Sequence, residues 1–130
     1  PKYPHKMNEI MKDAEKFFRE FLIKNPGMVD KNPGHEGAEQ YVVVRSLQDG
    51  ADAMVEKIFN FLAHKWGIYN LRLGEAQVHY IEFFEKNRRL KLPTSIAKKA
   101  AASYAEEKGL SELQQAIVEA YYLTFASAGI

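Results

Sequence analysis

The sequence contains no cysteine, and this absence excludes two classes of small protein. Without cysteine there is neither a disulfide framework nor a thiolate-bound metal, which fits a reducing interior or a hot habitat. No stretch approaches the roughly 18 consecutive apolar residues of a membrane-spanning helix. There is also no large excess of charge of one sign, because 18 Lys and Arg against 17 Asp and Glu give a net charge of +1. Any polyanion site must therefore come from the distribution of the charges.

Motifs for catalysis are lacking too. There is no Gly-x-Ser-x-Gly and no glycine-rich loop of the kind that holds phosphates. Glu75, His79 and Glu82 fall at i, i+4 and i+7 and are the one candidate for metal or acid–base chemistry. A di-iron bundle needs Glu-x-x-His on two helices, whereas here the order is reversed and unrepeated. We therefore expect an exposed polar face at these residues, and no enzyme, metal or cofactor.

What the sequence does contain is helical periodicity. Apolar residues recur at spacings of three and four, which predicts helices at about 8–24, 38–65, 74–90, 96–108 and 112–127. Residues 1–7 carry two prolines and are predicted to form an extended arm. Two Asn-Pro-Gly triplets, at Pro26 and Pro33, predict a rigid loop that Gly37 closes. Residues 41–44 have strand propensity and are the weakest part of this helical pattern.

These elements predict an all-α fold, a bundle of about five helices with an N-terminal arm. At 130 residues the chain suits a single domain, in which residues 1–37 (arm, first helix and loop) precede a bundle of residues 38–130. The helix ends have clear signals in the second half of the chain. Gly109 is a favourable residue after a helix C-terminus, and Ser111 with Gln114 forms a capping-box pattern that opens the last helix.

The last helix carries no charge after Glu119, and residues 120–126 are apolar or aromatic around most of the helix. A helix that is apolar on every side is expected to be buried on every side. Its neighbours are either the rest of its own bundle or another subunit, with membrane contact as a third alternative. Tyr121, Tyr122 and Phe125 lie at core spacing, so we expect them to pack inside the protein rather than to stack on bases.

A basic block is the most informative feature of the charge distribution. Between Lys86 and Lys99 there are six bases and no acid, so the remainder of the chain totals −5. Bases at the C-terminal end of a helix are favourable without any ligand, which accounts for part of the block. Lys98 and Lys99 are instead predicted near a helix N-terminus, where positive charge is unfavourable, and this makes a phosphate contact a candidate beside the alternative of an ordinary solvated face. The members of the block are Lys86, Arg88, Arg89, Lys91, Lys98 and Lys99.

A second basic surface is predicted near the N-terminus. Lys12, Lys16 and Arg19 lie at i, i+4 and i+7 on one flank of the first helix, beside a flank that carries Glu9, Asp13 and Glu20. Intrahelical ion pairs such as Asp13 with Lys16 are the alternative use of these charges. The same surface is extended by Lys2, Lys6, Lys24 and Lys31. No helix presents Asn, Gln and Arg for base edges, so any contact would be sequence-independent and sensitive to salt.

One family resemblance follows from residues 92–100 (LPTSIAKKA) and 111–117 (SELQQAI), in a chain with a proline-bearing arm and an apolar last helix. The chain resembles the major capsid proteins of filamentous archaeal viruses, in particular the enveloped viruses of hyperthermophilic hosts. The matching stretch covers under half of the chain. The resemblance implies a virion protein that coats and condenses linear double-stranded DNA in a helical filament, as a homo-oligomer or with a related capsid subunit.

In such capsids the N-terminal helices wrap A-form DNA and the C-terminal helices pack subunit against subunit. On this sequence the resemblance implies phosphate contacts from the N-terminal bases and from Arg45, and no small-molecule substrate. Two other functions stay open. The block at 86–99 also fits a small helical subunit that binds RNA or single-stranded DNA, and the chain also fits a non-enzymatic interaction domain without nucleic acid.

Overall fold

The computed structural model describes the backbone of residues 2–89 and 92–128, and the side chains of residues 9–89 and 92–128. Within these residues the chain forms six α-helices and two short 3-10 helices, with no strand, which confirms the predicted all-α fold. The α-helices are α1 (Lys2–Lys24), α2 (Pro33–Val44), α3 (Ala51–Lys65), α4 (Leu73–Asn87), α5 (Pro93–Lys108) and α6 (Glu112–Ser127). The 3-10 helices span Pro26–Asp30 and Ile68–Asn70.

The packing divides the chain into two compact units. The N-terminal unit, residues 1–69, holds α1 to α3, and the C-terminal unit, residues 70–130, holds α4 to α6. The sequence predicts a single domain in which residues 1–37 precede a bundle of residues 38–130. This organisation stays a prediction.

Aromatic rings form the centre of the N-terminal unit. Phe18 on α1 is fully buried and stacks on Phe59 of α3, with ring centroids 4.4 Å apart. Tyr41 of α2 contacts Phe59 edge-on, with ring centroids 5.7 Å apart. Trp66 stacks on Phe18, with ring centroids 5.9 Å apart. Stacked and edge-to-face pairs at such distances add stability beyond the burial of their area. One ring from each helix, together with Trp66, therefore joins α1, α2 and α3.

The extended N-terminal arm is not observed, because α1 already begins at Lys2. Pro4 is the third residue of this helix. The first four N–H groups of a helix have no intrahelical partner, so a proline costs little there. The prediction of an arm treated proline as a breaker at a position where a helix accepts it.

The predicted second helix, 38–65, is two helices. The second Asn-Pro-Gly begins α2 instead of lying in a loop, because Pro33 occupies its first position, where the fixed φ of proline suits a helix. Gly37 lies inside α2, where a Cβ would come within 3.1 Å of the Phe18 ring. The helix then ends at Val44, and the turn before α3 contains Ser46 at φ 53° and Gly50 at φ 90°. The glycine meets the left-handed geometry without strain.

In the C-terminal unit a small-residue face of α5 packs against α6. Ala97, Ala100 and Ala101 of α5 are fully buried, as are Ile117 and Val118 of α6. The helix ends agree with the predicted signals. Gly109 follows α5 at φ 66°, and the capping box is formed, with the Gln114 N–H 3.2 Å from Ser111 Oγ and the Ser111 N–H 2.9 Å from Gln114 Oε1.

The last helix is not buried on every side. Leu113, Ile117, Val118 and Tyr122 are buried, whereas the remaining side chains of the 120–126 segment are partly or fully exposed. Within the described residues its own unit therefore covers α6 on one side, so the all-round burial predicted from the sequence would need a partner outside the chain. A subunit contact on the uncovered sides stays a prediction. Across residues 2–89 and 92–128 no helix has the length and apolarity that crossing a bilayer requires.

Candidate nucleic-acid interface

The described bases of the block are exposed at the end of α4 and in the first two turns of α5. We call its described members, Lys86, Arg88, Arg89, Lys98 and Lys99, the basic corner; all five are exposed. The corner arises from local structure. Asn87 closes α4 by donating from Nδ2 to the carbonyl oxygen of Phe83 at 2.8 Å, and Pro93 starts α5 six residues later. Lys91 lies outside the described residues.

Among the described residues, one carboxylate lies within ion-pair distance of the corner. Arg88 Nη1 is 3.6 Å from Glu85 Oε1, and both side chains are more than half exposed. Exposed pairs of this kind contribute about 0–1 kcal/mol and leave the charges available to a ligand. Lys86, Arg89, Lys98 and Lys99 make no ion pair with any other residue that the structure describes. Four of the five bases of the corner therefore have no ion-pair partner among the described residues.

The helix-dipole reason for a phosphate contact at Lys98 and Lys99 does not hold. We predicted that α5 begins at Ile96, but it begins at Pro93, so the two lysines are its sixth and seventh residues. The unfavourable effect of the dipole on a positive charge fades beyond the first turn. The case for an anion at these lysines now depends on their exposure and on the lack of neighbouring carboxylates.

The N-terminal basic surface is more evenly balanced. Lys12, Lys16 and Arg19 are exposed, and none of them pairs with a described carboxylate within 4.0 Å. Arg19 lies over the ring of Trp66, 5.4 Å from its centroid. Residues 9–24 nonetheless contain as many acids as bases, so this part of α1 is neutral. Lys24 and Lys31 are exposed as well, and the side chains of Lys2 and Lys6 lie outside the described residues.

Arg45, which the resemblance assigns to phosphates, is engaged by a carboxylate. Its Nε and Nη2 donate to Asp13 Oδ2 and Oδ1, both at 2.9 Å, and Tyr41 donates its hydroxyl to Oδ2 at 2.7 Å. The hydrogen bonds from Arg45, and then that from Tyr41, lower the pKa of Asp13 to about 2. Burial, followed by the hydrogen bond to Asp13, raises the pKa of Tyr41 to about 12. This cluster joins α1 to α2 and takes the place of the Asp13–Lys16 pair that the sequence suggested.

A second cluster that the sequence did not indicate joins α2 to α3. His35 Nδ1 lies 2.7 Å from Glu56 Oε1, and His35 Nε2 lies 2.9 Å from Glu39 Oε1. The hydrogen bond to Glu56 raises the pKa of His35 above its ordinary value. The contact to Glu39 has i, i+4 spacing and could have been predicted from the sequence. The contact to Glu56 depends on the turn between α2 and α3 and was not.

The predicted polar face at Glu75, His79 and Glu82 is only partly exposed. Glu75 pairs with Lys108 of α5, whereas the His79 ring is largely covered, 5.2 Å from the ring of Tyr104. Glu82 is exposed. In the described part of the chain, no group of three His, Asp or Glu side chains is arranged to hold a metal ion.

Aromatic side chains of the C-terminal unit pack inside it. Tyr122 is fully buried and donates its hydroxyl to the carbonyl oxygen of Ala76 at 2.5 Å, and burial raises its pKa. Tyr121 and Phe125 contact each other edge-on, with centroids 4.8 Å apart. The packing role predicted for Tyr122 is confirmed, whereas Tyr121 and Phe125 are half-buried. Between residues 70 and 128, leaving out 90 and 91, no aromatic side chain is exposed, so a base-stacking platform is absent there.

Comparison with models of protein families, with curated proteins and with solved structures finds no match. The resemblance to filamentous-virus capsid proteins stays a prediction.

Proposed function

We propose that this protein is a non-enzymatic structural protein that coats double-stranded DNA in a helical filament, as a capsid protein of a filamentous virion does. The observation that supports the proposal is the basic corner, which sets five exposed bases against a single carboxylate in contact. Such a surface binds phosphates through Coulomb attraction and hydrogen bonds, without reading bases.

The number of contacts suits a coat protein better than a stand-alone binder. Five phosphate contacts give a salt dependence of log K with a slope of about −4.5 on duplex DNA. Binding of one copy is then modest at physiological salt. In a filament many copies share one polymer and contact one another, so each copy needs only a few contacts.

A duplex is favoured over a single strand because the corner has no aromatic platform. Proteins that hold single strands combine bases with exposed aromatic side chains, on which nucleotides stack. In the described residues of the C-terminal unit the aromatic side chains are buried or half-buried. The corner thus offers charge for a backbone but no exposed ring for a base.

The test compares two triple variants of equal charge change. The first neutralises the corner (Arg89→Gln, Lys98→Gln, Lys99→Gln), and the second neutralises the α1 flank (Lys12→Gln, Lys16→Gln, Arg19→Gln). Fluorescence anisotropy with a labelled duplex, titrated at several salt concentrations, gives the affinity and its salt slope. We expect the corner variant to reduce the magnitude of the salt slope by about 2.7. The α1 variant should reduce it by less than about 1.

The outcomes separate the candidate functions. Equal effects of the two variants would mean that net charge alone governs binding, and would remove the corner as the site. Tighter binding to a single strand or to RNA of the same sequence would favour the small nucleic-acid-binding subunit. Absence of binding at low salt would leave the interaction domain. Electron microscopy of the protein with linear duplex DNA tests the filament, and persistent absence of regular filaments would count against a coat protein.

A further inference from the structure

An exposed face of α3 combines apolar and basic residues. Met54 and Phe61 are 69% and 63% exposed, unusually high for such large apolar side chains. Lys57 and Lys65 lie on the same face, because the four positions follow i, i+3, i+7 and i+11. Both lysines are exposed, and neither pairs with a carboxylate in the described residues. We call these four residues the α3 stripe.

An exposed face of α4 combines apolar and acidic residues. Val78 and Ile81 are 55% and 46% exposed, and Glu82 and Glu85 extend the same face toward the end of the helix. Glu82 has no ion pair with a described base, and Glu85 reaches only Arg88, at 3.6 Å. We call these four residues the α4 stripe. Each stripe places charged side chains beside exposed apolar ones, with opposite sign.

The two stripes match in spacing at one apolar and one charged position. Phe61 precedes Lys65 by four residues, and Ile81 precedes Glu85 by four. Two helices laid side by side in the same direction therefore bring Phe61 against Ile81 while Lys65 meets Glu85. Contact between the two faces buries apolar area and places opposite charges next to each other. The complementary charges make the contact specific for a partner of opposite sign.

We propose that the α3 stripe of one copy of this chain packs against the α4 stripe of a second copy. This proposal specifies how the copies would assemble in the proposed filament. It rests on the proposed function for assembly and not for DNA binding. The occupant is a second copy because the chain itself carries the face of complementary charge. The contact is heterologous: each copy offers one stripe of each kind, so copies add in one direction and build a ring or an open helical array. A single helix-on-helix contact buries less than the roughly 800 Å² per partner of a stable pair, so association is weak until many copies line up.

The experiment uses two charge-reversal variants, studied without nucleic acid. One variant makes the α3 stripe acidic (Lys57→Glu with Lys65→Glu), and the other makes the α4 stripe basic (Glu82→Lys with Glu85→Lys). Sedimentation velocity at low salt, where charge contacts are least screened, measures association against concentration. The wild-type chain associates as its concentration rises, and each variant alone associates at least about tenfold more weakly, since like charges then face each other.

Mixing the two variants is the decisive measurement. In an equimolar mixture the acidic α3 stripe of one variant meets the basic α4 stripe of the other, and the remaining two stripes are also of opposite sign. Association returns to the wild-type level, and only contact between different molecules produces this recovery. A variant with the same charge change elsewhere in the N-terminal unit (Lys24→Glu with Lys31→Glu) associates like the wild type.

Three results would overturn the inference: a wild-type chain that stays monomeric, stripe variants that associate normally, or a mixture that does not recover. Circular dichroism shows whether each variant keeps its helix content, as expected for exposed positions. Because no nucleic acid is present, these results are independent of the basic corner. If the chain binds a duplex but does not self-associate, the stripe proposal is wrong and the corner proposal stands. If it self-associates but does not bind a duplex, the corner proposal alone is wrong.

Discussion

Phe59 and Phe61 lie two residues apart on α3 and differ almost completely in exposure. The Phe59 ring is fully buried, stacked on Phe18 at 4.4 Å and met edge-on by Tyr41 at 5.7 Å, whereas Phe61 is 63% exposed. Substitution of Phe59 by Leu keeps an apolar side chain but removes both ring pairs. Each pair contributes about 0.5–1.5 kcal/mol, so Phe59→Leu should lower the free energy of unfolding of the N-terminal unit by about 1–3 kcal/mol. Phe61→Leu should change it by less than about 0.5 kcal/mol.

Trp66 gives the assay a local probe. It is the only tryptophan, and its ring lies 5.9 Å from that of Phe18, so its fluorescence in urea follows unfolding of the N-terminal unit. A unit of this size loses about 1 kcal/mol of stability per molar urea, which places the Phe59→Leu midpoint about 1–3 M below that of Phe61→Leu. Equal midpoints for the two variants would refute the conclusion that ring stacking between the helices holds this unit together. The measurement is made at low protein concentration, where the α3 stripe is free.

Three further predictions concern the polar contacts. Because the pKa of Asp13 is lowered from 3.8 to about 2, its contribution to stability is present above pH 3.8 and is lost as the pH falls toward 2. Asp13→Asn should remove this part of the acid sensitivity of the urea midpoint, and an unchanged acid profile would contradict it. Because the pKa of His35 is raised above 6.5, its contacts stabilise the N-terminal unit fully below pH 6.5 and are lost as the pH rises through the raised value. His35→Gln should therefore flatten the dependence of the midpoint on pH above 6.5, and a slope equal to that of the wild type would show that the contact is energetically silent. Tyr122→Phe should lower the free energy of unfolding of the C-terminal unit by about 0.5–1.5 kcal/mol, measured by near-ultraviolet circular dichroism, because the hydrogen bond to Ala76 is lost.

The helices of the C-terminal unit followed from local signals in the sequence. The αL geometry at Gly109 and the reciprocal hydrogen bonds of Ser111 and Gln114 depend on residues within one turn of each other. The packing role of Tyr122 followed from helical spacing. Interactions of this range are encoded in short stretches of chain, which explains why they were predictable.

The N-terminal unit was harder to predict because its elements depend on distant contacts and on the positional meaning of proline. Pro4 and Pro33 lie in first helical turns, where proline is tolerated, and both were assigned to non-helical segments. The turn at Ser46 and Gly50 interrupts an apolar pattern that reads as continuous. Once that turn is present, α2 packs on α3, and His35 reaches Glu56, a neighbour 21 residues away.

The candidate site shows the same limit for charges. Lys16 and Arg45 were both expected to contact phosphates, and no local pattern indicates which of the two is neutralised by a carboxylate. The fold decides this: Asp13 binds Arg45 across 32 residues and leaves Lys16 without an ion pair among the described carboxylates. A count of bases along a helix overestimates the charge that a ligand meets, because compensation comes from other elements.

The distribution of compensated and uncompensated charge bears on how a filament of this protein would be organised. The resemblance implies that N-terminal helices wrap the DNA while C-terminal helices join the subunits. In this chain residues 9–24 of α1 are neutral overall and Arg45 is bound to Asp13, whereas the basic corner of the C-terminal unit has one carboxylate in contact. Phosphate affinity grows with the number of bases that are free to release counterions from the duplex, so we expect the corner to bind a duplex more strongly than the α1 flank. The proposed filament therefore holds DNA through the C-terminal unit, and the exposed Met54 and Phe61 leave the N-terminal unit a role in joining copies. If instead the α1 triple variant lost more of the salt slope than the corner variant, the order implied by the resemblance would be the correct one.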